Sequence, residues 1–214
     1  MNAQRNPPGG EALRGLYAVT PEDYLMPRLS ALVGAALAGG VRLVQYRNKS
    51  APAPLRRAQA ADLLRLCRAS EARLIVNDDL ALALEIGADG VHLGRADGDL
   101  AAARAALGPQ KILGVSCYAD LERAAAAAAA GADYLAFGSI YASATKPHAP
   151  RAQLALLGAA RRRFAQPIAA IGGIALDNAA PTITAGADLL AVVSDLFDAA
   201  DITAQARNYS QLFV

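Results

Sequence analysis

The sequence predicts a single closed barrel of eight parallel strands, each followed by a helix: an α/β fold of the (β/α)8, or TIM-barrel, class. Eight short β-rich runs alternate with longer helix-compatible stretches along the whole chain, the pattern of a parallel sheet with covering helices. Most of the runs are apolar at consecutive positions, as strands buried on both faces require. A Gly-Ala-Asp tripeptide recurs at 87–89, 131–133 and 186–188, each time directly ahead of an expected strand. With 214 residues, the chain is long enough to form one such barrel.

The first strand is expected at 16–19. Thr20-Pro21 follows it where an open dinucleotide-binding sheet would carry Gly-x-Gly-x-x-Gly, which favours closure. A helix over 24–38 leads through Ala38-Gly39-Gly40 into strand two at 42–47, and a second helix covers 54–69. Strand three spans 73–78 and helix three 80–86; Gly87-Ala88-Asp89 then opens strand four at 90–94. Gly directly after a helix suits the left-handed position that ends it, so one αβ turn is reused at alternate units. The next pairs are helix 100–107 with strand 111–117, and the alanine-rich helix 121–130 with strand 134–140. Ala is the best helix former, so the alanine run reads as a closely packing helix and not as low complexity. Helix 153–164, strand 167–173, helix 178–185, strand 189–194 and a final helix 196–213 complete the count. Residues 1–14, rich in Pro, Gly and Asn, read as a flexible tail, and 15–214 as the barrel domain.

Composition narrows the function. Twenty-one Lys and Arg against 19 Asp and Glu leave a formal charge of +2, and Arg161-Arg162-Arg163 is the longest basic run. That provides no electrostatic footprint for nucleic acid or an anionic membrane. The N-terminal residues lack the apolar stretch of a signal peptide, and no segment approaches the roughly 20 apolar residues of a membrane span. Cys67 and Cys117 form no CxxC pair and no disulfide framework, so a reducing, cytoplasmic setting is expected.

In a (β/α)8 barrel the chemistry sits where strands end and the following loops begin. Strand two runs out as Gln45-Tyr46-Arg47-Asn48-Lys49, and two-residue alternation puts Gln45, Arg47 and Lys49 on one side, where two cations suit a polyanion. Strand three ends in Asn77-Asp78-Asp79, and strand four in His92-Leu93-Gly94 with Asp97 beyond. Two carboxylates on adjacent strand ends suit a hard ion such as Mg²⁺ shared with a substrate phosphate. Asp79 and Asp97 equally suit the N-caps of the next helices, and spacing leaves both readings open. His92 lies inside its strand and reads as a core or supporting residue. Ser116, with no matching His or acid, reads as a hydrogen-bonding group, and Cys117 as a small buried hydrophobe. The loop after strand six offers Ser143, Thr145 and Lys146 to an anion, with His148 facing solvent. Gly172-Gly173 after strand seven and Val193-Ser194 after strand eight stand where phosphate-binding barrels hold a monophosphate against backbone N–H groups and a helix start.

These pieces together resemble the thiamine-phosphate synthase family across essentially residues 15–195. The resemblance rests on Gln45-Tyr46-Arg47-x-Lys49, Asn77-Asp78, Gly90-Val91-His92-Leu93-Gly94 with Asp97, Gly114-Val115-Ser116, Thr145-Lys146, Ile171-Gly172-Gly173-Ile174 and Val193-Ser194. It implies an enzyme that joins a pyrimidine bearing a diphosphooxymethyl group to a thiazole phosphate, releasing pyrophosphate with Mg²⁺ bound. By the same resemblance Gln45, Tyr46, Arg47, Asn48, Lys49, Asn77, Ser116 and Lys146 hold the pyrimidine diphosphate, and Asp78 and Asp97 hold Mg²⁺. Ser143, Ala144, Thr145, Gly173, Val193 and Ser194 hold the thiazole phosphate. Arg47, Lys49, Ser116 and Lys146 form the catalytic set, and the implied chemistry is dissociative, with no protein nucleophile. The chain departs from the family pattern at Asn48, usually Glu; at Arg95, usually Gln; at Tyr118, frequently His; and at Ser143, commonly Thr. A sister thiazole tautomerase, or a silent phosphate-binding regulator on the same barrel, would have no use for Lys49, Asp78, Asp97 and Lys146 together, which argues against both.

Overall fold

A computed structural model describes residues 13–23, 25–142 and 152–214. Eight parallel strands close into a barrel in chain order, each hydrogen-bonded to the next and the last to the first. The strands are β1 (Gly15–Val19), β2 (Leu43–Tyr46), β3 (Arg73–Asn77), β4 (Gly90–Leu93), β5 (Ile112–Tyr118), β6 (Tyr134–Gly138), β7 (Ile168–Ile171) and β8 (Leu189–Val192). The first seven helices are α1 (Met26–Ala38), α2 (Ala53–Ala69), α3 (Leu80–Ile86), α4 (Leu100–Leu107), α5 (Leu121–Ala129), α6 (Leu154–Arg163) and α7 (Leu176–Thr184). Expected and observed elements agree in type and order, with ends shifted by a few residues.

The final segment differs. In place of one helix over 196–213, the chain forms α8 (Ser194–Phe197) and α9 (Ile202–Gln211). Asp201 accepts the N–H of Ala204 at 2.9 Å and so starts a new helix where the first one ends. Ahead of β1, Leu13 is buried, and Arg14 Nη1 donates to the Phe213 carbonyl at 2.5 Å.

Both faces of the strands are apolar, for different partners. Tyr17, Leu43, Ile75, Ile112, Tyr134, Ala169 and Leu189 fill the barrel interior. Their chain neighbours Ala18, Val44, Leu74, Leu113, Leu135, Ile168 and Leu190 pack outward against the helices. That double coverage is why the runs show no polar alternation. Inside, large and small residues exchange volume: a Cβ on Gly114 would run into the Tyr134 ring, so β5 stays bare where β6 brings its largest side chain inward.

The Gly-Ala-Asp turns behave as expected and do more. Gly87, Gly131 and Gly186 have φ of 70°, 86° and 117°, a region open to glycine. The aspartates then clasp the preceding strand. Asp133 donates its N–H to the Leu113 carbonyl at 2.7 Å while its Oδ2 accepts the Leu113 N–H at 2.7 Å. Asp89 makes the same reciprocal pair with Leu74, and Asp188 with Ile168.

Candidate functional site

The C-terminal ends of the strands surround a cavity of about 1430 Å³. Of the residues predicted from sequence, Gln45, Arg47, Lys49, Asn77, Asp78, Asp97, Ser116, Gly173, Val193 and Ser194 line it. Ser143, Ala144, Thr145 and Lys146, with His148, lie outside the described residues.

One wall is charged. Lys49 Nζ stands 2.6 Å from Asp78 Oδ2, and Arg47 Nη1 3.0 Å from Glu22 Oε1. Asp78 has φ of 62°, left-handed backbone that turns the end of β3 toward Asp97. The two carboxyls stand within hydrogen-bonding reach of each other. Burial, then the bond with Asp78, keeps Asp97 above the usual carboxylate range. Burial also acts on Asp78, but Lys49 and the hydrogen bond with Asp97 bring it below that range. Asp97 is not a helix cap: its Oδ2 accepts the Gly94 N–H at 2.6 Å, and Asp99 caps α4 instead. Asp79 does cap, accepting the Leu82 N–H at 2.9 Å.

Two neighbouring carboxylates at the cavity wall suit a hard divalent cation shared with substrate oxygens. No third His, Cys, Asp or Glu joins them to form a metal-binding cluster among the described residues.

The cavity floor is a polar chain that spans the barrel. Gln45 Nε2 donates to Tyr17 Oη at 2.7 Å, the hydroxyls of Tyr17 and Tyr134 lie 2.7 Å apart, and His92 Nδ1 lies 2.8 Å from Tyr134 Oη. His92 Nε2 then meets Ser116 Oγ at 2.8 Å. Burial holds both phenols well above their ordinary pKa, so they act as neutral hydroxyls. His92 is thus the supporting residue its mid-strand position suggested. A register shift between β5 and β6 at Ser116/Tyr118 lies at this rim. Cys117 is buried, its thiol pushed up to about 12 by burial first of all.

Two predicted residues turn away. Tyr46 packs outward, donating its hydroxyl to Gln59 Oε1 at 2.9 Å. Asn48 is buried, its Nδ2 donating to the Asp23 carbonyl at 2.9 Å and to Gln59 Oε1 at 3.1 Å. Both side chains tie β2 to α2, and neither lines the cavity. The alternation that sends Gln45 inward sends its chain neighbour Tyr46 outward.

The opposite wall is backbone. Gly173 has φ of 63°, and a Cβ there would meet the Ala142 carbonyl oxygen and, at 2.8 Å, Tyr141 Cβ. The glycine is required by the approach of the β6 loop. Asn178 holds this turn: its Nδ2 donates to the Gly173 carbonyl at 3.0 Å and its Oδ1 accepts the Ala175 N–H at 3.0 Å. Asp195 joins three helices, accepting from the Leu176 N–H at 3.2 Å, Gln205 Nε2 at 2.7 Å and Tyr209 Oη at 2.6 Å. Sequence reasoning missed Tyr17, Tyr134, Asn178 and Asp195; only the inward parity of the two tyrosines on their strands was there to be read.

The family model described as thiamine monophosphate synthase matches residues 16–196. The thiamine-phosphate synthase of Aromatoleum aromaticum is 57% identical over 201 residues, covering 94% of this chain and 97% of its own length. That of Methylobacillus flagellatus is 55% identical over 201 residues, covering 94% and 96%. Among solved structures, a thiamine phosphate pyrophosphorylase from Pyrococcus furiosus superposes with a TM-score of 0.84 at 32% identity, covering 99% of this chain and 98% of the other. A 3-hexulose-6-phosphate synthase from Salmonella typhimurium, with a TM-score of 0.72 at 20% identity over 93% and 98%, shares the fold.

Proposed function

The chain belongs to the thiamine monophosphate synthase family and is a transferase, and from that premise we propose that it condenses a pyrimidine diphosphate with a thiazole phosphate, with Mg²⁺ bound, by a dissociative substitution. The observation that carries this reading is the division of one cavity into a wall of cations and paired carboxylates and a wall of backbone turns, across a polar floor.

The diphosphate is assigned to the charged wall. Arg47, Lys49 and Lys146 supply cationic hydrogen bonds to its oxygens, Asn77 and Ser116 neutral ones, and Gln45 meets the pyrimidine from the floor. Asp78 and Asp97 are the residues that would hold Mg²⁺, which when bound neutralises charge on the departing pyrophosphate. The bond between the pyrimidine methylene carbon and the diphosphate oxygen breaks, and its electron pair leaves with pyrophosphate. The thiazole nitrogen then gives its lone pair to the same carbon. The cationic side chains act on the charge that grows on the leaving oxygens, where preorganised contacts have most effect. Ser116 is fixed toward the cavity by His92, itself fixed by Tyr134.

The thiazole phosphate is assigned to Gly173, Val193 and Ser194 with Ser143 through Thr145. Backbone N–H groups there meet an anion without a cationic side chain competing for the diphosphate. That division fits a synthase better than a tautomerase, which handles one phosphate and has no use for Lys49, Asp78 and Asp97.

The test is product formation with each component omitted in turn. Thiamine phosphate and pyrophosphate are expected in equal amounts only when both substrates and Mg²⁺ are present, and excess chelator should stop the reaction. Turnover at full rate in chelator would overturn the metal assignment, and absence of thiamine phosphate from the complete mixture would overturn the reading itself.

A further inference from the structure

Three cations among the described residues line the cavity, and they differ in how far they are committed. Lys49 is held 2.6 Å from Asp78 and Arg47 3.0 Å from Glu22, so an arriving polyanion must displace or share those carboxylates. Arg95 is freer. Its side chain is 66% exposed, and its ion-pair partner, Asp120 Oδ2, stands 3.7 Å away. The other oxygen of Asp120 is occupied in capping α5, accepting the N–H groups of Glu122 and Arg123 at 3.0 and 2.9 Å.

The Arg95 guanidinium is nonetheless held in place. Its carbon lies 5.3 Å from the centre of the Tyr118 ring, and the Arg95 N–H donates to Tyr118 Oη at 3.2 Å. Arg123 lies 5.8 Å from the same ring centre. An aromatic face holds a guanidinium without neutralising it and leaves its planar donors free for phosphate oxygens. Arg95 also belongs to the loop that carries Asp97, whose carboxylate is bound to the Gly94 N–H.

We propose that Arg95, shelved on Tyr118, is the capture residue for the diphosphate substrate: it makes the first charged contact at the rim and steers the polyanion onto the wall of Lys49, Asp78 and Asp97. This rests on the reading of that substrate as a diphosphate. Rim charges govern association rate and its salt dependence more than stabilisation of the reacting state. Arg95 therefore acts on kcat/KM and leaves kcat alone.

The test is Arg95→Gln, with Arg95→Lys as the charge-retaining partner, at ionic strengths of about 0.02 M and about 0.5 M. In Arg95→Gln, kcat/KM for the pyrimidine diphosphate should fall by about 2- to 10-fold at low salt and approach the unsubstituted value at high salt. Its kcat, its KM for the thiazole phosphate and its melting temperature should hold, and Arg95→Lys should recover most of the loss. An equal loss at both salt concentrations, or a loss confined to kcat, would overturn the proposal. A second arm measures association of inorganic pyrophosphate with Mg²⁺ by stopped flow and does not depend on turnover. A salt-dependent slowing in Arg95→Gln would sustain capture even if the protein formed no thiamine phosphate. Unchanged association in an active synthase would sink capture and leave the function standing.

Discussion

Gly114 shows how one missing side chain supports the site from beneath. Its absent Cβ is the space the Tyr134 ring occupies, and Tyr134 Oη is the central link between Tyr17 and His92. Gly114→Ala should therefore displace a buried ring that has no flexible end to give way. Overpacking of this kind costs about 1–3 kcal/mol, and here the strain falls on the floor that aims Ser116. The expected result is a lower melting temperature with a lower kcat; a variant as stable and as active as the parent would show that the floor tolerates movement of Tyr134. The sequence displayed Gly114-Val115-Ser116 but gave no sign of this dependence, because Gly114 and Tyr134 meet only once β5 and β6 are in register. Tyr17 and Tyr134, 117 positions apart, meet only when the barrel closes. Two-residue alternation did place Gln45, Arg47 and Lys49 on one side, and that side is the cavity. Carried one residue further, the same alternation turns Tyr46 and Asn48 away, which motif matching alone does not register.

At the scale of elements, the reciprocal clasps of Asp89, Asp133 and Asp188 hold the strand starts in register at the end of the barrel opposite the site. Asp133 is the most deeply set: its side chain is 6% exposed, and Arg104, at 11%, lies 2.8 Å away. Asp133→Ala removes the side-chain half of the clasp on Leu113 and leaves the Arg104 charge buried without that partner, a change that costs about 3–5 kcal/mol. The melting temperature should fall by about 10 °C, and by less for Asp188→Ala, whose partner Arg161 is 34% exposed. Equal, small losses for both would show that neither the clasp nor the buried charge pair contributes much. The glycines of these turns were legible as helix stops, but the aspartates were not, since their partners lie about 20 residues back in the chain. The break between α8 and α9 was missed for a related reason. Asp201 is an evident cap only once the chain is seen to turn at Asp198, and the apolar pattern continues across it.

On the scale of the whole molecule, closure of the sheet sets the ends of β2, β3 and β4 across one mouth from the ends of β7 and β8. Two anionic substrates are then assigned to opposite walls of one cavity, and this division is the central claim. Gly173→Asp is a poor probe of it, because φ of 63° and the crowding against Ala142 would distort the turn whatever the ligand. Ser194→Asp is better: Ser194 is exposed at the start of α8, where a carboxylate is compatible with the helix and repels a phosphate. Asp78→Asn is its counterpart on the charged wall. Calorimetric titration of each folded variant with the thiazole phosphate, and separately with the pyrimidine diphosphate and Mg²⁺, tests the division directly. Ser194→Asp should lose the thiazole phosphate and keep the diphosphate, and Asp78→Asn should do the reverse. Loss of both ligands in either variant, with circular dichroism unchanged, would contradict it.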